Sequence, residues 1–232
     1  MTDTKTRTKI LFVIAFIIFG VAALHVPLSQ LVGSKASFTL FDAFAPIAGA
    51  FLGTIPGALA VVVMQGFNFV AQGANFSDMG ALIRIVPVIF AAIYFSRKMP
   101  LNVVVPMLAI AAWVMNPVGR EVWYYSLMWL IPILCYFLQE RFLFTRALGA
   151  TFTAHAVGGA LWVWFIPLPA VVWASLIPVV LVERFFFAAG IAAAYVAATN
   201  ALAAVNEKLR FAYKFPIQHK YVFVPSFRRE TE

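Results

Sequence analysis

Apolar residues run through this chain in long blocks, and the polar residues that interrupt them come in short clusters rather than in alternation. Eight blocks are separable, at residues 10–26, 40–52, 55–71, 79–95, 101–115, 122–138, 147–165 and 171–204. None alternates with period two, as a barrel strand would, so each predicts a helix. Backbone groups in hydrocarbon must bond internally, and apolar helices of this length are the usual solution. The pattern predicts an all-α fold: a polytopic transmembrane helical bundle of six to eight membrane segments. The range arises from the second block, which covers ~20 Å at ~1.5 Å per residue against a hydrocarbon core of ~30 Å. It either crosses as a short span or pairs with the third block as a re-entrant hairpin. The last block is long enough to project beyond the bilayer.

Composition removes the alternatives. Of 232 residues, 63% are hydrophobic and 11% charged, with mean hydropathy +0.93, which leaves no room for a soluble catalytic domain. Residues 1–204 read as the membrane domain and 205–232 as a basic cytoplasmic tail. The formal charge of +8 is explained by basic loops on one side of a membrane, so no nucleic acid is expected as a partner. Lys5, Arg7 and Lys9 place the N-terminus in the cytoplasm. Alternation then brings Arg97, Lys98, Arg141, Arg146 and the tail's Lys208, Arg210, Lys214, Lys220, Arg228 and Arg229 to the same face. Only Lys35 and Arg120 fall outside, while Arg84 and Arg184 lie within spans. Both termini are therefore expected in the cytoplasm, with the protein multi-pass in the cell (inner) membrane. A basic start before an apolar run also resembles a signal peptide, but His25-Val26-Pro27 is a poor cleavage site, so the first helix is read as retained.

Motifs for chemistry are missing. There is no GxxxxGK[ST], HExxH or GxSxG, and the single Cys135, inside an apolar block, forms no internal disulfide or cysteine metal site. The expectation is a non-enzyme with no cofactor and no bound metal.

Polar residues inside spans are expensive in lipid and face an interior or a cavity. Arg84, Asp42, His155, Glu183 and Asn68 all fall at mid-depth or in the outer half of the predicted bundle, and they are the candidate substrate-binding residues. Each has a plainer reading. Asp42 fits a capping box with Thr39, Asp78 suits a helix start, and His155 suits an interior hydrogen bond. Arg120–Glu121 reads as a solvated loop pair, and His25 as an interfacial residue. Glu183 and Arg184 project about 100° apart on a helix and do not share one direction, so either one faces the cavity while the other pairs with a neighbouring span, or both belong to a purely structural charge network. Trp113, Trp123, Trp162, Trp164 and Trp173 sit near the predicted outer boundary, mostly as an aromatic belt. The Gly49-x-x-x-Gly53 spacing, with Gly57 following, suits close helix packing within the bundle or a docking face for another membrane subunit.

The stretch FTLFDAFAPIAGAFLGTIPGAL at residues 38–59 resembles the second and third helices of substrate-binding S components of energy-coupling factor transporters. The resemblance implies capture of a vitamin or similar micronutrient on the outer side, with transport powered by a separate membrane coupling subunit and ATPases. Members of that family have six helices and a spaced-alanine signature in the first helix, which Ala15, Gly20 and Ala23 do not reproduce. No binding residue is carried over from it.

Three functions stay open at this point. One is a small-molecule binding or transport subunit with an outward-facing polar pocket, in contact with the lipid bilayer and membrane partner subunits. The others are a non-catalytic scaffold or accessory subunit of a larger membrane complex, and an intramembrane enzyme using His155 with Glu183 or Asp42. The sidedness is directly testable. A reporter active only in the cytoplasm, fused after Glu232, is expected to give signal, and one active only outside is expected to be silent; the reverse result inverts the bundle.

Overall fold

The computed structural model describes residues 4–30, 37–71, 77, 79–209 and 217–223. Asp78, Lys35, Arg210, Lys214, Arg228 and Arg229 lie outside the described residues. Apolar blocks become helices: α1 (Thr4–Leu24), α4 (Thr54–Ala71), α5 (Met79–Ser96), α6 (Leu101–Met115), α9 (Leu143–Phe165) and α10 (Ala170–Leu209). Two blocks are broken. The second is α2 (Leu40–Phe44), a 3₁₀ turn over Ala45–Ile47 and α3 (Ala48–Leu52), with Pro46, which lacks an N–H, in the turn. The sixth opens as a seven-residue 3₁₀ stretch, Trp123–Trp129, before α8 (Leu130–Leu138). A short α7 (Pro117–Glu121) precedes it, capped by Asn116, whose side chain accepts from the N–H groups of Val118 and Gly119 at 2.9 and 3.2 Å. One feature departs from the all-helical expectation. Strands β1 (Pro27–Gln30) and β2 (Ser37–Thr39) pair as an antiparallel ribbon between α1 and α2.

Helices α1, α4, α5 and α10 are each long and apolar enough to cross a membrane. Their outer faces expose large apolar side chains, among them Leu11, Phe19, Ile55 and Phe186 at 66–74%. A surface of this kind is what a bilayer solvates and water does not, so the chain is a helical membrane protein. The second block does pair with the third, Gly57 of α4 lying against Ala48 of α3. Asp42 lies beside Arg84, Gly49 packs on Ala92, and the Thr54 hydroxyl meets that of Ser96 at 2.9 Å, so the block runs alongside α5 from the ribbon end to the opposite end of the bundle. Gly53, at φ 95°, then turns the chain into α4, a backbone conformation that side chains with a Cβ resist.

Helix α9 sits at the centre, packed against α5, α6, α8 and α10, and twelve of its 23 residues are buried. Glycines set its distances. A Cβ on Gly149 would enter the Tyr94 ring, and one on Gly159 would approach Trp129 to 2.7 Å. Gly49 and Gly57 do the same work elsewhere, against the carbonyls of Ala92 and Ala48. The GxxxG spacing is therefore occupied by contacts within the bundle. Tyr94 in turn donates to the Pro132 carbonyl at 2.7 Å, a group within α8.

The far end of the bundle carries the basic residues. Arg146 donates to the carbonyls of Phe95 and Ser96, both at 2.6 Å, and so satisfies the C-terminus of α5. Arg97, Lys98, Arg146 and Lys220 line a cleft of about 270 Å³ there, with Glu140 among them. Helix α10 continues past residue 204 to Leu209, and residues 217–223 return to it. The Asn200 amide donates to the Tyr221 carbonyl at 2.8 Å and accepts from the Phe223 N–H at 2.7 Å, while Val222 is buried. This part of the tail packs on the bundle rather than lying free on a membrane surface.

Substituting Gly149→Val is expected to force α5 and α9 apart and to lower stability by at least about 1–3 kcal/mol, as overpacking does. Gly66, on α4, has open space where a Cβ would lie. Gly66→Ala is expected to leave stability unchanged or raise it by about 0.5–1 kcal/mol. Thermal unfolding of both variants in the same detergent compares the two; equal effects would remove the glycine contact from the account of the fold.

Candidate functional site

The site is built where four elements meet near the ribbon end. Asp42 lies in the first turn of α2, where its carboxylate accepts from the Thr39 N–H at 2.8 Å, the acidic half of the capping box. The same oxygen, Oδ2, also approaches Arg84 on α5, with Nη2 at 4.0 Å. That separation is beyond hydrogen-bond length, so the pair attracts without closing.

Glu183 and Arg184 share α10. Their 100° offset is bridged because both side chains are long enough to turn toward each other, while Arg184 also reaches Thr151 on the neighbouring α9. Arg184 Nη2 lies 3.5 Å from Glu183 Oε2, and both residues line one cavity. Arg184 is 3% exposed, its guanidinium lying over the rings of Phe38 and Phe187 at 4.5 and 4.6 Å, with Nη1 at 3.4 Å from the Thr151 hydroxyl. Stacking on two rings suits a planar, weakly hydrated cation and fixes its plane.

His155, midway along α9, is held by both ring nitrogens. The Trp129 indole donates to Nδ1 at 3.0 Å, and Nε2 lies 3.2 Å from the Tyr125 hydroxyl. Trp113 stacks on Tyr125 at 4.8 Å and meets Trp173 edge-on at 4.9 Å, so the imidazole rests on a rigid aromatic floor. Trp113, Trp162 and Trp173 are thus interior residues, whereas Trp123 and Trp164, about half exposed, keep the positions of a membrane belt.

The cavity these residues enclose measures about 140 Å³, well above the ~10–15 Å³ a single water needs. Asp42, Arg84, His155, Glu183 and Arg184 line it, with Phe38, Tyr125, Trp162 and Trp173 as its aromatic walls. Gly158 and Gly159 keep one side open by having no side chain. Four of the five candidate residues are therefore brought together. Asn68 is not; it is partly buried on α4, outside the cavity. His25 is exposed and bonds the Val21 carbonyl at 2.9 Å, and Arg120 and Glu121 are exposed on α7. Among the described residues no group of His, Cys, Asp and Glu is placed to hold a metal ion.

Sequence reasoning singled out one of Glu183 and Arg184 and missed Phe38 and Tyr125. The aromatic run WYYSLMW at 123–129 is the signal that was available for Tyr125, since so many rings at a span boundary exceed what a belt requires. Comparison of the chain with protein-family models, curated proteins and solved structures finds no match.

Arg184 is buried, and its guanidinium contacts Glu183, Thr151 and the rings of Phe38 and Phe187. Arg184→Gln is expected to lower stability by about 2–3 kcal/mol through the lost charged hydrogen bonds and ring stacking. Arg84→Gln, partly exposed and loosely paired, is expected to cost no more than about 1 kcal/mol. Chemical or thermal unfolding of the two variants tests the ranking.

Proposed function

We propose that this chain is a membrane-embedded subunit that binds a small molecule, with the Asp42–Arg84–Glu183–Arg184 cavity as its binding site and transport across the membrane as its role. The single observation that carries the reading is the convergence of two charge pairs and an aromatic wall on one space large enough for an organic molecule. Placing four ionisable groups in a bundle is costly, and here they gather on one space rather than pairing separately within packed helices.

The positive-inside bias puts the basic cleft in the cytoplasm and so opens the cavity to the outside, with both termini inside. On that orientation the helical segments alternate as eight crossings, three of them short or broken. The resemblance of residues 38–59 to S components adds an expectation of a vitamin-like or micronutrient substrate and of a separate energised partner. An acid–base enzyme is disfavoured by His155, whose two nitrogens are both occupied by protein groups. The competing reading is a scaffold whose charges only hold helices together.

Arg84→Gln separates the two readings, because Gln keeps a donor and removes the charge. The expected result is a folded bundle that no longer retains the small molecule that co-purifies with the native protein in mild detergent, read by mass spectrometry. A loss of thermal stability that is restored by adding Asp42→Asn would assign the pair to packing and defeat the binding-site reading.

A further inference from the structure

Resting on the binding-site reading, the geometry points to a ligand class: a carboxylate carried on a flat apolar body. The observation is an imbalance of hydrogen-bond donors. Three buried side-chain nitrogens have no partner among the described residues: Arg184 Nε, Trp162 Nε1 and Trp173 Nε1. All three residues line the same cavity and are 3–5% exposed. The other unpartnered buried side-chain atoms are oxygens, on residues that do not line it. Buried polar groups are almost always satisfied, so three orphan donors around one space call for acceptors supplied by its occupant.

Tyr125 adds a fourth donor. An indole N–H only donates, so His155 Nδ1, which receives it, is unprotonated. A neutral imidazole then carries its proton on Nε2, and that N–H donates to the Tyr125 oxygen. The phenolic proton is left to point elsewhere, and Tyr125 lines the cavity. The chain Trp129, His155, Tyr125 thus delivers a donor in one direction only.

Charge and shape narrow the acceptor. The two protein carboxylates are already faced by Arg84 and Arg184, so the donors in excess have no anion of their own. A carboxylate offers two acceptor oxygens and so answers more than one donor, as it does with guanidinium groups. Phe38, Trp162 and Trp173 offer ring faces and edges to a planar body behind it.

The test uses three probes with one ring and one chain length: 3-phenylpropionate, 3-phenylpropionamide and 3-phenylpropylamine. Each is titrated into the full chain in mild detergent and followed by calorimetry and by tryptophan fluorescence excited beyond the phenyl band. The acid is expected to bind about tenfold tighter than the amide, the step a charge-assisted hydrogen bond gives over a neutral one, with the amine weaker still. Tyr125→Phe and Trp162→Phe each keep the ring and remove the donor, and each is expected to weaken the acid about tenfold. Having two variants keeps the test decisive if one does not fold. Preference for the amine, or acid binding unchanged in either folded variant, would overturn the ligand class while leaving the cavity a binding site. Binding of none of the three would overturn the ligand class and the binding-site reading together.

Discussion

Close approach of α9 to its neighbours is the constraint on which the rest depends. Tyr94, Pro87 and Trp129 occupy the space that a side chain at Gly149, Gly158 or Gly159 would fill. In lipid there is little hydrophobic drive between helices, so the fit of small residues against rings and backbone carries the packing. The approach brings the Tyr94 hydroxyl to the Pro132 carbonyl, a group inside a helix that would otherwise face apolar surroundings. It also lets α9 carry Arg146, Thr151, Thr153 and His155 through the bundle, since its neighbours shield them from lipid.

The cavity follows from the same economy of side chains. Near Pro87 and Trp129, α9 has glycine at two consecutive positions, 158 and 159. Packing closes tightly below, around the buried Phe95 and Tyr195, and opens above, where the charged residues of α2, α5 and α10 face each other. The polar content of the molecule is thus divided between two ends. One holds balanced charges beside aromatic walls, and the other holds four cations and one carboxylate in a cleft.

Much of this was legible as pattern. The block at 101–115 coincides with α6, and those at 55–71 and 79–95 differ from α4 and α5 by a single residue. Apolar periodicity and length speak directly to helices. The ribbon was not legible, because β1 and β2 pair through backbone groups and carry no alternating signature over four and three residues. Breaks within blocks were visible as Pro46 and as the aromatic run before Leu130, but their effect on helix type depends on tertiary contacts. Depth placed Asp42, Arg84, His155 and Glu183 in one half of the bundle; which helices border the cavity, which a single sequence leaves open, separates Asn68 from them, since α4 contributes nothing to its lining. Rotation also says only part of what Arg184 does. A 100° offset between backbone positions constrains Cβ directions, not the ends of side chains several bonds long.

Helix α10 has one further consequence. From Glu183 to Asn200 it runs about 25 Å with no proline between, since Pro178 precedes both. One end of that rod lines the cavity, and the other holds the returning tail through Asn200. Tyr195, five residues before Asn200, packs on Phe51, Phe95 and the tail's Tyr221, so the tail closes over the end of the rod that the core already holds. One unbroken helix thus joins the two faces of the molecule, anchored about 18 Å from its cavity end.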